Sequence, residues 1–453
     1  MASPAANVPR ASLSVFDGVA IMVGIVIGIG IFKTPPLVAA NVDSEMAFIG
    51  VWLLGGAITL AGALVYAELA ATYPSTGGEY HFLARAFGQS TGFLFAWARI
   101  SVIQTGAIAA VAFVFGDYAQ QIHSLGPAGA ALYAGIALIG LTLLNLVGTF
   151  HSTRAQNLFT TLTLLAMLAV ALVGLTATSA AAPGEPMPAA PLAGPSAGAG
   201  GTPGLAMIFI LLTYGGWNEA AYLSAEVRNT RRDMVRVLVF GTATIVTVYL
   251  LVNLAFLQVL GLEALRGSDA VAADMMRRTL GDEAALLVSA VICCTAISTL
   301  NATLFTGARV YHALGADMQP LRALGRWNSR GNHPRTAILV QSAIALALVV
   351  FGAFMKDGFQ AMVEYTAPVF WLFLLLVGIA FFVLRRRDPH RERPFRAPLY
   401  PFKPALFCFT CAYLLYSSIA YTGLGALLGV AVLLLGVPLL VLLRRRQAAP
   451  LPE

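Results

Sequence analysis

Charge is scarce in this sequence. Asp, Glu, Lys and Arg fill only 11% of its 453 positions, against about 25% in ordinary soluble domains. So few charges could not cover the surface of a soluble chain this long, and 58% of the residues are hydrophobic. A water-soluble domain is excluded, and an all-α polytopic membrane protein is expected. Cysteine is rare too: Cys293, Cys294, Cys408 and Cys411 all fall in apolar runs. They cannot staple an outer domain, they show no zinc-like spacing with the six histidines, and they read as buried structural thiols.

Missing motifs exclude further classes. There is no HExxH, no Ser–His arrangement and no cluster of carboxylates within one apolar run, so a membrane-embedded enzyme has no visible chemistry. No Walker A sequence is present, which argues against an ATP-driven pump. No metal site and no organic cofactor is implied. The formal charge of +7 needs no nucleic-acid partner, because basic loops beside anionic lipid headgroups account for it. The polar first twelve residues lead into an apolar run with no small-residue cleavage site, so that run reads as a retained helix.

Twelve apolar stretches remain, at 15–40, 47–71, 91–116, 127–148, 156–178, 205–225, 236–260, 284–310, 336–355, 359–384, 404–421 and 424–443. Each is near the 20 or so residues that a bilayer core requires, and backbone crossing hydrocarbon must be helical or barrel-forming. The alternation of a barrel strand is absent. With the N-terminus inside, the basic residues outside the membrane fall almost entirely on cytoplasmic segments. Only Lys33, Arg266, Arg277, Arg278 and Lys356 fall on outer ones, and Arg99 lies near the inner end of the third span. The bias places both termini in the cytoplasm of a multi-pass cell-membrane protein.

The chain divides into a cytoplasmic tail 1–12, five spans in 13–178, and an outer loop 179–204 rich in Pro, Ala and Gly. Five more spans follow in 205–384, then a basic cytoplasmic loop 385–403, two spans in 404–443 and a tail 444–453. Two sets of five would be inverted repeats, since an odd number of spans reverses the second set. Glycines support the symmetry. "VGIVIGIGIF" interrupts the first span at Gly24, Gly28 and Gly30, and "TYGGWNE" interrupts the sixth, the first of the second set. Such glycines also suit close helix packing, but paired interruptions at matching places point to a transporter's binding site.

An unwound first span presents the N–H groups of Ile29, Gly30 and Ile31 to a carboxylate, with glycine leaving the backbone open to approach. The carbonyls around Tyr214 to Trp217 suit an ammonium group. Donors for an anion beside acceptors for a cation match the zwitterion of an α-amino acid.

The segments "GIVIGIGIF", "YAELAATYPSTGGEYHFLARAFG", "TYGGWNEAAYLSAEVRNTRRDM", "NATLFTGARVYHALGADMQP" and "LRRRDPHRERPFRAPLYP" resemble motifs of amino acid permeases in the amino acid–polyamine–organocation superfamily. The likeness is greatest to the L-type amino acid transporters and their bacterial relatives, from about Ser14 to Arg446. The resemblance implies the leucine-transporter fold, with two inverted five-helix repeats plus two helices, and alternating access. It implies substrate contacts at Ile27, Gly28, Ile29, Gly30, Ile31, Leu212, Tyr214, Gly215, Trp217 and Asn218. Animal L-type transporters use a disulfide-linked ancillary glycoprotein. The outer loop "QQIHSLGPAGA" has no cysteine for one, so no such subunit is expected.

Two departures bear on mechanism. Leu212 stands where L-type transporters carry an aromatic gate residue. Thr163 stands where many relatives carry a lysine in place of a sodium ion. In the eighth span Thr295, Ser298 and Thr299 follow helical spacing. The hydroxyls of Ser298 and Thr299, with carbonyls of Thr295, Gly24 and Ile27, would form an oxygen cage beside Thr163 for Na+. The alternative is hydrogen bonding within and between helices.

Glu219 is the candidate for coupling to H+ or for contacting a basic substrate. Glu68 is expected to be structural, paired with Arg99 or Arg309, and Glu364 is either interfacial or part of a gate. Tyr214 and Trp217 either close over substrate or pack against neighbours. The expected function is secondary active transport of amino acids, neutral and fairly apolar because a diamine would want more carboxylates. Cationic amino acids or polyamines are the alternative substrates. Broken helices by themselves leave room for a channel or receptor.

Overall fold

The computed structural model describes residues 14–75, 78–147, 153–177, 203–218, 227, 229–317, 322–326, 334–420 and 423–447. Every regular element of more than one residue among them is helical. Nine described helices are long and apolar enough to cross a membrane, and shorter apolar helices occupy the predicted first, fifth and sixth spans.

The first span is in pieces: α1 (Val15–Val26), a 3-10 turn (Ile29–Phe32) and α2 (Thr34–Ala39). Ser14 caps α1 reciprocally with Asp17, which supplies acceptors for orphan N–H groups of the first turn. Pro35 sits in the first turn of α2, where its missing N–H costs no hydrogen bond. Next come α3 (Glu45–Thr72), α4 (Gly78–Phe87), α5 (Gln89–Ala98), a π-turn (Arg99–Ile103) and α6 (Gln104–Ile122). Helices α7 (Gly129–Val147) and α8 (Thr153–Thr176) complete the first set.

The second set begins with α9 (Pro203–Thr213), then α10 (Thr230–Arg266), α11 (Val271–Leu280), α12 (Asp282–Asp317), α13 (Arg335–Ala353) and α14 (Gly358–Arg387). Helix α15 (Phe402–Ala420) and the pair α16 (Leu424–Leu434) and α17 (Gly436–Gln447) end the described chain. The short helices α4 and α11 were not expected. Ten residues each, they are amphipathic and too short to register as apolar runs. The basic segment 385–403 lies inside the described residues, whereas most of the predicted loop 179–204 lies outside them.

Outward faces carry the mark of a lipid solvent. On α7 the residues Leu132, Ile136, Ile139 and Leu143 follow one helical stripe and are 52%, 63%, 48% and 58% exposed, a pattern water would not tolerate over so much surface. Inside, helices approach through small residues: a Cβ on Gly116 would lie 2.1 Å from the Ala130 carbonyl oxygen.

Helix α14, about 45 Å long at 1.5 Å per residue, defines two ends. At its start Lys33 Nζ lies 3.2 Å from Asp357 and 2.9 Å from Asp117 of α6. At its finish Glu68 of α3 takes two hydrogen bonds from Arg385, at 2.7 and 2.5 Å, and one from the Ala397 N–H at 2.7 Å. Arg393 lies 3.6 Å away. The expected partner of Glu68 is therefore corrected: Arg99 faces Glu79 instead. The basic loop folds back over the end of α3, which a reading of neighbouring spans could not show. The cysteines do sit in helices, but only Cys293 and Cys411 are buried; Cys294 is exposed and Cys408 half-buried. Glu364 accepts a hydrogen bond from Gln360 one turn earlier, 2.9 Å away.

Candidate functional site

Both glycine-bearing spans break. After Val26 the backbone leaves the helix at Ile27 (ψ 72°), and Gly28 is extended (φ −96°, ψ −166°) before the 3-10 turn. Gly28 N–H bonds back to the Val26 carbonyl at 2.7 Å. The turn thus starts with the amides of Ile29 and Gly30, which by 3-10 geometry have no acceptor within it. A Cβ built on Gly28 finds nothing nearer than the Val26 carbonyl oxygen at 3.9 Å, so the backbone there faces open space.

Helix α9 stops at Thr213. Tyr214 and Gly215 bond back to Ile210 and Leu212, and Gly216 has φ +100°, a conformation that other residues adopt only with strain. Thr213 Oγ1 lies 2.6 Å from Thr34 Oγ1, tying this break to the first span.

Between the breaks lies a cavity of about 330 Å³. The first span gives it Val26, Gly28 and Gly30; the sixth gives Leu212, Thr213, Gly215, Gly216 and Asn218. Small residues Gly106, Ala107 and Ala110 of α6 make room opposite Phe359, Val363 and Phe370 of α14, and Gln104, Thr299 and Thr303 add polar groups. Among the described lining residues the charged ones are Glu79 and Arg99.

Glu79 is the anchor that the sequence reading overlooked. It is 4% exposed, and its Oε1 accepts from the Tyr66 hydroxyl at 2.6 Å and from Asn218 Nδ2 at 3.0 Å. Its Oε2 lies 3.8 Å from Arg99 Nη1. Glu79 stands in "TGGEYHF", outside every apolar run, and only the packing of α4 against α5 and α14 brings it to the cavity. The cavity reaches toward this pair, on the Glu68 side. On the opposite side, Lys33, Asp117 and Asp357 border a separate polar cavity of about 430 Å³.

The other candidates are distributed as follows. Ile27 and Ile31 are 3% and 0% exposed, within the apolar core, and do not line the cavity. Ile29 opens the turn with its backbone. Tyr214 and Trp217 pack behind the breaks rather than over the cavity. The Tyr214 ring is 5.7 Å from Trp52, and the Trp217 ring is 4.9 Å from Tyr66 and 6.3 Å from Phe407. Glu219 lies outside the described residues.

Of the cation candidates, Thr163 Oγ1 and Thr295 Oγ1 are 2.9 Å apart, and Thr295 donates to the Val291 carbonyl at 2.9 Å. Ser298 is buried nearby on the same helix, Gly24 is half-buried in α1, and Thr299 lines the cavity.

Just past the end of α14, Asp388 accepts from the Tyr73 hydroxyl at 2.8 Å and from Arg85 at 3.0 Å. Those two hydrogen bonds, the Tyr73 one foremost, hold its carboxyl below the usual range.

A membrane protein whose described residues form helices, with breaks in the first and sixth spans facing one cavity, has the build of a carrier. Its sequence settles which kind: the chain belongs to the amino acid permease family, whose model matches residues 13–437. It is 28% identical over 392 residues to the b(0,+)-type amino acid transporter 1 of Mus musculus, covering 86% of this chain and 79% of that one. It is 26% identical over 436 residues to the serine/threonine exchanger SteT of Bacillus subtilis, covering 95% and 96%. It is 28% identical over 422 residues to the large neutral amino acids transporter small subunit 2 of Mus musculus, covering 92% and 78%. These relatives are transporters, and this protein is a membrane amino acid transporter rather than an enzyme.

Proposed function

We propose that the protein is a secondary active transporter that binds a neutral, fairly apolar α-amino acid between the two broken spans and moves it by alternating access. The observation that carries this reading is the cavity bordered by Gly28 and Gly30 on one side and by Gly215 and Asn218 on the other. Backbone N–H groups at the start of the 3-10 turn take the carboxylate, and carbonyls at the breaks take the ammonium. The side chain then extends toward Ala107, Ala110, Val363 and Phe370. Among the described lining residues Arg99 faces Glu79, so no net negative charge favours a polyamine or a cationic amino acid. The names of two relatives, one for large neutral amino acids and one for serine and threonine, support a neutral substrate.

In this reading the chain has twelve spans in the leucine-transporter arrangement, with both termini and the Glu68 end in the cytoplasm, as the distribution of Lys and Arg favours. The cavity then reaches toward the cytoplasm while the Lys33 end is closed. Coupling is to Na+ at the site beside Thr163 or, failing that, to H+ through Glu219, and no disulfide-linked subunit is required. The test is uptake of each of the twenty radiolabelled amino acids by the purified chain in liposomes, with trans-acceleration by internal amino acid. Saturable uptake of neutral amino acids supports the reading. Uptake confined to lysine, arginine or a diamine overturns the substrate assignment.

A further inference from the structure

Two apolar helices meet the membrane surface around one basic segment. Helix α14 ends at Arg387 and α15 begins at Phe402, and both are long and apolar enough to span. The residues between them therefore lie at one face of the bilayer. From Arg385 to Lys403 the chain carries seven Lys and Arg against Asp388 and Glu392. Several of these cations are held within the protein: Arg385 and Arg393 by Glu68, Arg387 by the Ala86 carbonyl and Arg391 by the Thr72 carbonyl. Arg386 and Arg396 are exposed instead, and neither makes a hydrogen bond or ion pair among the described residues.

The fold brings these two stretches to one place. Arg386 follows Arg385, which donates to Glu68, and Arg396 precedes Ala397, whose N–H donates to the same carboxylate. The surface further along the segment is apolar. Leu399 and Phe402 are 66% and 77% exposed, and Leu399 has φ 58°, a left-handed backbone that leucine adopts only with strain. Phe402 then opens a stripe at helical spacing along α15, continued by Leu406 and Phe409, both exposed. Helix α15 packs against α14, so the cations and the stripe belong to one helix pair. Exposed positive charge thus adjoins an uncovered apolar strip that runs into the membrane.

We propose that this segment and the exposed stripe of α15 form a binding site for an anionic phospholipid of the surrounding membrane. The guanidiniums of Arg386 and Arg396 take its phosphate, and an acyl chain runs along Phe402, Leu406 and Phe409. A guanidinium presents several N–H donors in one plane, which suits phosphate oxygens. Net charge decides among lipids: a choline headgroup carries a cation that the basic segment repels, whereas a glycerol headgroup leaves the phosphate charge uncompensated. A soluble phosphate would leave the stripe uncovered, and a soluble acidic protein could not follow it into hydrocarbon.

The test is the melting temperature of the purified, delipidated full chain in detergent, titrated with phosphatidylglycerol or with phosphatidylcholine of the same acyl chains. Phosphatidylglycerol is expected to stabilise the wild type more than phosphatidylcholine does. One cation at a membrane surface changes affinity roughly fivefold. Arg386→Gln combined with Arg396→Gln is therefore expected to raise the half-saturating mole fraction of phosphatidylglycerol about thirtyfold. Arg322→Gln combined with Arg326→Gln removes the same charge from another exposed stretch and is expected to leave the titration unchanged. Glycerol phosphate, which has no acyl chain, is expected to give no shift. Native mass spectrometry, counting phosphatidylglycerol molecules retained per chain, repeats each comparison without relying on stability.

Equal weakening by the two pairs of substitutions would show only diffuse attraction to acidic micelles, and overturns the site. An equal shift with glycerol phosphate overturns it as well, since the ligand would then be a soluble phosphate. So does a wild type that responds alike to the two lipids, which would leave this face to another partner. If the Arg386 and Arg396 substitutions lower the melting temperature without lipid yet keep the wild-type titration, the two arginines serve the fold and the inference falls.

Discussion

Lys33 Nζ and Asp117 Oδ2 lie 2.9 Å apart, with side chains only 5% and 16% exposed, across one end of the helical bundle. The pair joins the segment just past the first break to α6, and Asp357 at the start of α14 closes the triangle 3.2 Å from the same ammonium. A buried pair of this kind is costly to break from one side, on the order of 3–5 kcal/mol, because the remaining charges lose their partner. Lys33→Ala is therefore expected to loosen this end specifically. A cysteine placed at Val111, which lines the cavity, is expected to react with a membrane-impermeant maleimide added on the Lys33 side only when Lys33→Ala is also present. Equal labelling with and without Lys33→Ala would show that the triangle does not hold this end shut.

The opposite end is fastened by Glu68, 2% exposed and bound by Arg385 and by the Ala397 N–H. Glu68→Ala would leave two arginines facing a buried gap, at a cost of about 3–5 kcal/mol. The expected outcome is a melting temperature lowered by several degrees in detergent, with Glu68→Gln falling between. A melting temperature unchanged in Glu68→Ala would mean that the basic loop is not docked there.

Much of the fold was legible because hydrocarbon imposes one rule: apolar runs of the right length become helices. The broken spans were legible as well, since glycines in "GIVIGIGIF" and "TYGGWNE" fall at matching places in the two sets of spans, which close helix packing alone does not require. The walls of the cavity were not. Glu79 reaches Asn218 across 139 positions, and Arg385 reaches Glu68 across 317; such pairs depend on how helices pack, which hydropathy does not encode. Tyr214 and Trp217 have two readings in the sequence, closing over substrate or packing against neighbours, and only the packing of the bundle sets their rings against Trp52 and against Tyr66 and Phe407.

A pH dependence follows from Asp388. Its carboxyl is held below the usual range in the folded chain by Tyr73 and Arg85. The stability it contributes is therefore complete above the ordinary carboxylate pKa of about 4 and is lost as pH falls through the lower folded value. Tyr73 and Arg85 lie on the α3–α4 side, so acid is expected to release that side from the end of α14. Wild type is expected to lose thermal stability more steeply than Asp388→Asn below about pH 4. Parallel curves would rule this contact out as the acid-sensitive one.

Glu79 supplies a further check on the cavity wall. Glu79→Ala removes the acceptor shared by Tyr66 and Asn218 and leaves Arg99 without the carboxylate facing it. Uptake is expected to fall at least about tenfold, since one buried unsatisfied polar group costs roughly 1–3 kcal/mol. Glu79→Gln, which keeps an acceptor oxygen, is expected to retain more activity than Glu79→Ala. Equal loss in the two variants would mean that the charge, and not the hydrogen bonds to Asn218 and Tyr66, is what matters.

Coupling is tested by initial uptake at fixed pH with sodium replaced by choline, then at fixed sodium across a pH gradient. Sodium dependence that disappears in Thr163→Lys is the expected outcome, because a tethered ammonium would take the place of the ion. Uptake indifferent to both gradients, in wild type and variant alike, would leave an uncoupled exchanger or facilitator.

The central claim is that substrate sits against the backbone of the first break, and Gly28 tests it most directly. Its φ of −96° is open to any residue, and a Cβ there meets nothing nearer than 3.9 Å, so Gly28→Leu can fold and point its side chain into the cavity. Gly30 lies deeper, where a Cβ would already touch Thr213 at 3.5 Å, and Gly30→Leu is the companion variant. The measurement is saturable uptake of the preferred amino acid by wild type and Gly28→Leu in proteoliposomes, with melting temperatures confirming that both are folded. A folded Gly28→Leu without measurable uptake is the predicted result; a folded Gly28→Leu that transports with wild-type apparent affinity would contradict it.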